Sequence, residues 1–301
     1  MLQIGPDNPA AAAPVGGPIA TDPPGPVFGL RLCVLGSGSS GNCSALLVES
    51  AQGRELWLID CGLSLRRIRR SLQELGVGDL EPRGILITHL DDDHIGSLSL
   101  EALQHIPVFL HRRHLRRAER EGRLFRRTEV FEDSLSLGAG LLMHASLAAH
   151  DAQGSATMRF ALEHDGHVSE LGYATDVGRM TPELVDHLRG VDVLAIESNY
   201  CPAMQLESNR PERLKGRIMG GKGHLSNDQC VRAVQEIGPR RHVVLLHLSR
   251  QCNTPDRAAA GHDGRGYNLT VSRHDAATDW IHAPLRVGSP RGRVQTLLFP
   301  C

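Results

Sequence analysis

Several common signatures are missing from this chain. Aromatic residues make up only 4% of its 301 positions, too few for base stacking to dominate any contact with nucleic acid. Its seven cysteines (Cys33, Cys43, Cys61, Cys201, Cys230, Cys252 and Cys301) are odd in number and contain no C-x-x-C pair. That is unlike a disulfide framework or a structural zinc knuckle, and reduced thiols in a cytoplasmic setting fit best. No apolar run approaches the roughly 20 residues that span a bilayer, and the chain does not open on a basic segment followed by an apolar one. Neither export nor a membrane partner is therefore expected. An excess of one charge is lacking as well. The 33 Lys and Arg against 34 Asp and Glu leave a net charge of -1, so a polyanion would have to be met by a local patch.

What the chain does have is a hydrophobic share of 41% and 16 histidines. The first is enough for a substantial core, best read as one domain over residues 29–301. Residues 1–28 include an Ala, Pro and Gly stretch with too few large apolar groups to offset its ordering entropy, and read as a disordered leader. Short β-rich runs follow at 30–35, 45–49 and 56–59, then a helix over 64–75, a strand over 84–88, a polar loop and a helical pattern beginning near His94. Further strands are expected at 107–110, 156–162, 170–174, 191–197 and 242–247, with helices at 181–188 and 227–237. The order implies an α/β fold of mixed sheets covered by helices. From about residue 256 the polar, Gly-rich sequence reads as an irregular C-terminal elaboration.

The histidines become informative by position. The strand 84–88 runs into His89, Leu90, Asp91, Asp92, Asp93, His94. In an extended loop, residues i and i+2 point the same way, so His89 and Asp91 can serve one ion while Asp93 and His94, at a helix start, face a second. Imidazole with carboxylate suits zinc, manganese or iron and differs from an all-thiolate structural site. By itself such a loop has a plainer reading, in which the aspartates cap a helix.

The rest of the chain resembles the metallo-β-lactamase superfamily: Asp60 closes an early strand, the 89–94 loop follows, and His150, Asp176 and His247 come later. That resemblance implies a four-layer αββα sandwich of two mixed β-sheets flanked by helices. It also implies a binuclear metal-dependent hydrolase, with His150 on the first ion, Asp176 bridging and His247 on the second. Within the superfamily the chain is most similar to the WalJ/YycJ-like branch, through GSGSSGN (36–42), GYATD (172–176), ESN (197–199), GHLSN (223–227) and HLSR (247–250). The similarity covers roughly residues 30–255. It implies a phosphodiester substrate, DNA or RNA, with no obligate protein partner. Two positions depart from the pattern. Asp91 stands where the usual H-x-H-x-D-H loop has its second histidine, and Cys201 follows Tyr200 where the branch often has an acid. In flavodiiron proteins the related loop also carries a carboxylate at the first of these places and holds iron.

The ligand set implied in this way is His89, Asp91, Asp93, His94, His150, Asp176 and His247. It would hold two divalent ions, zinc first, with manganese or iron as alternatives, and the nucleophile would be a hydroxide bridging them. Asp93 and His224 are the catalytic candidates, His224 for protonating the leaving oxygen or holding the phosphate; as a helix-entry residue His224 would do neither. By analogy Asp60 orients a liganding imidazole through its far ring nitrogen. Ser37, Ser39 and Asn42 in the first Gly/Ser-rich loop, with Asn199 and Ser226, are candidates to bind substrate, although such a loop is more often only a turn. Eight arginines (Arg112, Arg113, Arg116, Arg117, Arg120, Arg123, Arg126 and Arg127) fall within sixteen residues. They read equally as a stripe that tracks a nucleic-acid backbone and as a solvated helix beside Glu119 and Glu121. Rival functions on the same scaffold are hydrolysis of a lactone, thioester or β-lactam, and a diiron redox role with an electron donor on another chain.

Overall fold

A computed structural model describes residues 28–96, 103–124 and 126–288. Apart from Phe28, the expected leader lies outside the described residues. Two sheets stack face to face. The first runs β14-β1-β2-β3-β4-β5-β6, built from β1 (Gly29–Gly36), β2 (Cys43–Ser50), β3 (Gly53–Ile59), β4 (Pro82–Ile87), β5 (Val108–His111), β6 (Thr128–Phe131) and β14 (Ile281–Pro284). The second runs β13-β12-β11-β10-β9-β8-β7, from β7 (Ser134–Gly138), β8 (Leu141–Ala148), β9 (Ser155–His164), β10 (His167–Ala174), β11 (Val193–Glu197), β12 (His242–Leu246) and β13 (Asn268–Val271), while β15 (Arg286–Val287) adds to β10. Each sheet mixes parallel and antiparallel pairs.

Alternation along the strands explains the layering. Leu32, Val34 and Trp57 of the first sheet meet Phe160, Tyr173 and Val244 of the second in the central core. The opposite faces are covered by helices. Ile68 and Leu72 of α1 (Leu65–Glu74) pack on the first sheet. On the second pack Leu184 and Leu188 of α4 (Pro182–Leu188) and Val234 and Ile237 of α7 (Asn227–Ile237). This is the four-layer αββα sandwich that the strand order and the resemblance implied. The short α2 (Asp92–Ile95) sits in the loop after β4, and α3 (Arg112–Arg120) follows β5. Between β11 and α7 come α5 (Pro202–Glu207) and α6 (Glu212–Met219); α8 (Pro255–Ala259) follows β12.

Several stretches differ from expectation: β6, α5 and α6 had no counterpart in the sequence reading, and two further differences shape the sheets. The hairpin β7–β8 was not foreseen; its turn, Gly138-Ala139-Gly140, has positive φ at all three residues, and β7 is half exposed, so the apolar signal is weak. The segment after residue 256, read as an irregular elaboration, contributes an edge strand to each sheet, β13 beside β12 and β14 beside β1. Arg286 of β15 fastens it: Nε reaches Asp192 at 2.7 Å and NH2 reaches Glu170, which is 1% exposed and also holds Arg159. Among the described residues no helix is long and apolar enough to cross a membrane.

Removing one member of this buried ion cluster strands the others away from water. Glu170→Ala is expected to lower folding stability by about 3–5 kcal/mol, read as the shift in the midpoint of urea unfolding at unchanged slope.

Candidate metal centre

The site forms where strands end. Asp60 follows β3, His89 follows β4, Asp176 follows β10 and His247 follows β12, so these side chains leave the C-terminal ends of strands from both sheets. Asp60, Asp176 and His247 have φ of 58°, 54° and 55°, a left-handed conformation that is costly for residues with a Cβ. Each turns the chain sharply out of its strand and aims a polar group inward. The turn after β3 presses on the 89–94 loop so closely that a Cβ on Gly62 would lie 1.7 Å from the Asp93 carbonyl oxygen. Cys61 N–H donates to His94 O and Asn42 N–H to Asp93 O, both at 2.7 Å, which stitches the two loops together.

Around this frame the polar groups gather in overlapping sets whose potential ligand atoms lie within 4.8 Å of one another. They are His89, Asp91 and His150; Asp93, His94 and His247; His89, His94 and Asp176; and Asp176, Glu197, His224 and His247. Asp176 touches both sides, with Oδ2 3.0 Å from His94 Nε2 and Oδ1 3.9 Å from His150 Nε2. The aspartates of the loop do not act as caps. Asp91 is the N-cap residue of α2 but makes no side-chain capping bond. Its Oδ1 takes Arg117 NH1 at 3.0 Å, and its Oδ2 faces His89 Nε2 and His150 Nε2, each 3.7 Å away.

The imidazoles are fixed from behind. His94 donates from Nδ1 to Asp60 Oδ2 at 2.7 Å, and Asp60 in turn accepts from Thr88 N–H and its hydroxyl. His150 donates from Nδ1 to Gly223 O at 2.9 Å. Thr88 Oγ1 lies 3.1 Å from His89 Nδ1, and the buried Nε2 of His89 has no hydrogen-bond partner. An orphaned imidazole nitrogen aimed among carboxylates, with every far nitrogen already held, is what a cation ligand requires.

The electrostatics agree. Burial pushes His94, His150 and His247 down, but the surrounding carboxylates outweigh it. Asp60 and Asp176 hold His94 well above its ordinary range; Asp91 lifts His150 to about 9, and Asp176 lifts His247 to about 10. His89, with burial and His94 against it, is lowered. The His150 and His89 imidazoles beside it keep Asp91 far below the usual carboxylate range. Burial opposes ionisation of Asp93, Asp176 and Glu197, yet the neighbouring imidazoles keep all three low. A pocket that draws protons onto three buried imidazoles has the potential to draw divalent cations in their place.

His224 lines the cleft above the cluster, its Nδ1 2.7 Å from Glu197 Oε1 and 3.4 Å from Asp176 Oδ1. Of the residues expected at substrate, Ser39 and Asn199 line this cleft of about 370 Å³. Ser37, Asn42 and Ser226 are engaged elsewhere. Ser37 accepts from His247 N–H and donates to Asn42. Asn42 Nδ2 reaches Asp93 Oδ2 at 3.2 Å and lies 3.0 Å from His94 Nε2. Ser226 caps α7 in a reciprocal capping box with Gln229.

Glu197 is a candidate site residue that the sequence reading left without a role. Fully buried at the end of β11, it accepts from Val177 N–H at 2.8 Å and Leu225 N–H at 3.1 Å and contacts both His224 and His247. The signal that singled out Asp60, an acid ending an apolar strand, was present in Val193-Leu194-Ala195-Ile196-Glu197 as well. Arg210 was also missed. It stands in the cleft wall, and its guanidinium donates only to neutral oxygens: Gln251 Oε1 and Gln205 Oε1 at 3.1 Å, and Ser249 Oγ at 3.3 Å.

Known proteins share this architecture. Over 239 residues the chain is 26% identical to the exodeoxyribonuclease YycJ of Bacillus anthracis, covering 77% of this chain and 87% of that protein. It is 27% identical to the exodeoxyribonuclease WalJ of Streptococcus pneumoniae serotype 2, covering 77% and 86%. The crystal structure of the metallo-β-lactamase fold protein YhfI from Bacillus subtilis superposes with a TM-score of 0.60 at 16% identity, over 83% of this chain and 98% of that one. The β-lactamase superfamily domain model matches residues 57–248, a span that reaches from the strand leading into Asp60 to just past His247, and the chain belongs to that superfamily.

Proposed function

We propose that the protein is a metal-dependent hydrolase of phosphodiesters, acting on nucleic acid and working with two divalent ions, zinc first. The observation that carries this reading is the cluster itself: buried imidazoles with their far nitrogens fixed, interleaved with carboxylates and open to a cleft. His89, Asp91 and His150 would hold one ion, Asp93, His94 and His247 the other, with Asp176 between them. Asp60 orients His94. Bound there, the ions supply the acidity that makes water nucleophilic near neutrality and a sink for charge on a phosphoryl oxygen.

The chain's own groups do the rest. Asp93, half exposed to the cleft, accepts the hydrogen bond that orients the attacking water. His224 gives its proton to the departing oxygen, and the Glu197 carboxylate behind its Nδ1 fixes the ring. Asn199, which donates to His247 O at 2.7 Å, holds the wall beside the second ion position. Arg210, with no carboxylate partner among the described residues, is placed to meet an anionic group such as a phosphate and favours it over a neutral ester. The exodeoxyribonuclease relatives support the same substrate class. The carboxylate at Asp91 also suits iron, which keeps a redox role as the second reading and makes metal identity the first thing to measure.

Protein purified without added metal should carry about two equivalents of zinc or manganese. Stripping them should abolish hydrolysis of bis(p-nitrophenyl) phosphate and lower the melting temperature, both restored on reloading. Two equivalents of iron with no phosphodiesterase activity would favour the redox reading, and an empty site would sink both. Asp60→Ala should weaken metal affinity about 10–100-fold in competition with a chromophoric chelator, since His94 loses the acceptor that orients it. His224→Ala should cost about 10²–10⁴ in kcat on an oligonucleotide. Its effect on bis(p-nitrophenyl) phosphate should be much smaller, because nitrophenolate leaves without a proton.

A further inference from the structure

Of the eight arginines after β5, seven separate into two populations, while the exposed Arg126 lies past the end of α3. Four of the seven have partners on the protein. Arg112 pairs with Glu132. Arg117 holds Asp91 and, at 2.7 Å, Glu121. Arg123 binds Leu90 O and Asp92, both at 2.6 Å, and Arg127 binds His105 O at 3.0 Å. These brace the 89–94 loop and its surroundings. Arg113, Arg116 and Arg120 are different: all three are exposed, and none makes an ion pair among the described residues.

Their spacing places them together. At 3.6 residues per turn, positions i, i+3 and i+7 of α3 fall within about 60° of one another and span roughly 10 Å. The nearby Glu119 lies further round the helix on the side of Arg112. The stripe leads to the site. Arg120 lines a second cleft, of about 400 Å³, whose walls include His89, Asp91 and His150. That cleft meets the first one at Asp91, His150, Asp151 and Arg217. The cluster is thus approached from two sides, with Arg210 on one and the α3 stripe on the other.

From this arrangement we infer that α3 is the polynucleotide track of the enzyme: Arg113, Arg116 and Arg120 bind successive backbone phosphates of the strand being cut. The inference rests on the phosphodiester reading above and adds where the rest of the substrate lies. A span of roughly 10 Å is about three steps at the 3.4 Å per-strand rise of a duplex, enough for three arginines to reach consecutive phosphates. With a net charge of -1 for the whole chain, the stripe is no by-product of a basic protein. No aromatic side chain lies on α3, so the contact is to phosphate alone and carries no base preference.

The test uses the full chain loaded with metal and a fluorescent, phosphorothioate-linked single strand, with binding measured across salt concentrations. The triple variant Arg113→Gln, Arg116→Gln, Arg120→Gln should flatten the slope of log K against log salt by about 2, three contacts at about 0.7 each. Its metal content and its hydrolysis of bis(p-nitrophenyl) phosphate should stay those of the unaltered protein. A control that neutralises the exposed Arg66, Arg69 and Arg70 of α1 should leave the slope unchanged. An unchanged slope in the α3 variant, or an equal flattening in the control, overturns the track while leaving the hydrolase standing. Unaltered protein that cleaves bis(p-nitrophenyl) phosphate but binds no strand overturns the track too. Failure of metal-loaded protein on both substrates sinks the phosphodiesterase reading itself.

Discussion

The contact between His94 and Asp60, 2.7 Å long and closed off from water, organises the centre of the molecule. A carboxylate with no exposure at the end of an apolar strand is expensive unless its oxygens are filled. Here Thr88 supplies a backbone N–H and a hydroxyl, and His94 supplies a ring N–H. Those bonds tie the end of β3 to the end of β4 and to the helix-start loop beyond it. They also fix which nitrogen of His94 faces the cleft. Loss of this bond would disturb the ring that stands against Asp176 on one side and Asp93 on the other.

The same economy recurs on the other sheet. Glu197 ends β11 as Asp60 ends β3, and it collects two backbone N–H groups and two imidazoles. Asp176 and His247 reach the cluster only because their backbones adopt the left-handed region. Strain of about 1–3 kcal/mol at each such residue persists when the surroundings over-determine it. The packed ends of two sheets provide that rigidity, so the sandwich core and the strained rim belong to one design.

Asp91 shows how a departure from a familiar pattern is absorbed. An aspartate is shorter than a histidine and adds negative charge. The structure answers with Arg117, which occupies Oδ1 and leaves Oδ2 toward His89 and His150. A helix that looked in sequence like a uniform basic stripe therefore has an inner face braced against the loop and an outer face that is free.

The sequence by itself determined the layers and the loop. Apolar, β-prone runs mark the strands because each sheet is buried on both faces, by the other sheet and by helices, and the 89–94 loop announces itself because its candidate ligands are neighbours in the chain. His150, Asp176 and His247 came from resemblance, since no local spacing links residues that meet only when two sheets stack. Tertiary structure alone decided the remainder. It turned Ser37, Asn42 and Ser226 to internal partners, gave Glu197 and Arg210 their places, and divided the arginines between those with protein partners and the exposed Arg113, Arg116 and Arg120. It also drew the segment after residue 256 into both sheets, through edge pairings and an ion cluster whose partners lie more than ninety positions away. Local composition cannot encode such contacts, because the groups that satisfy each charge are brought together only by the packing of distant strands.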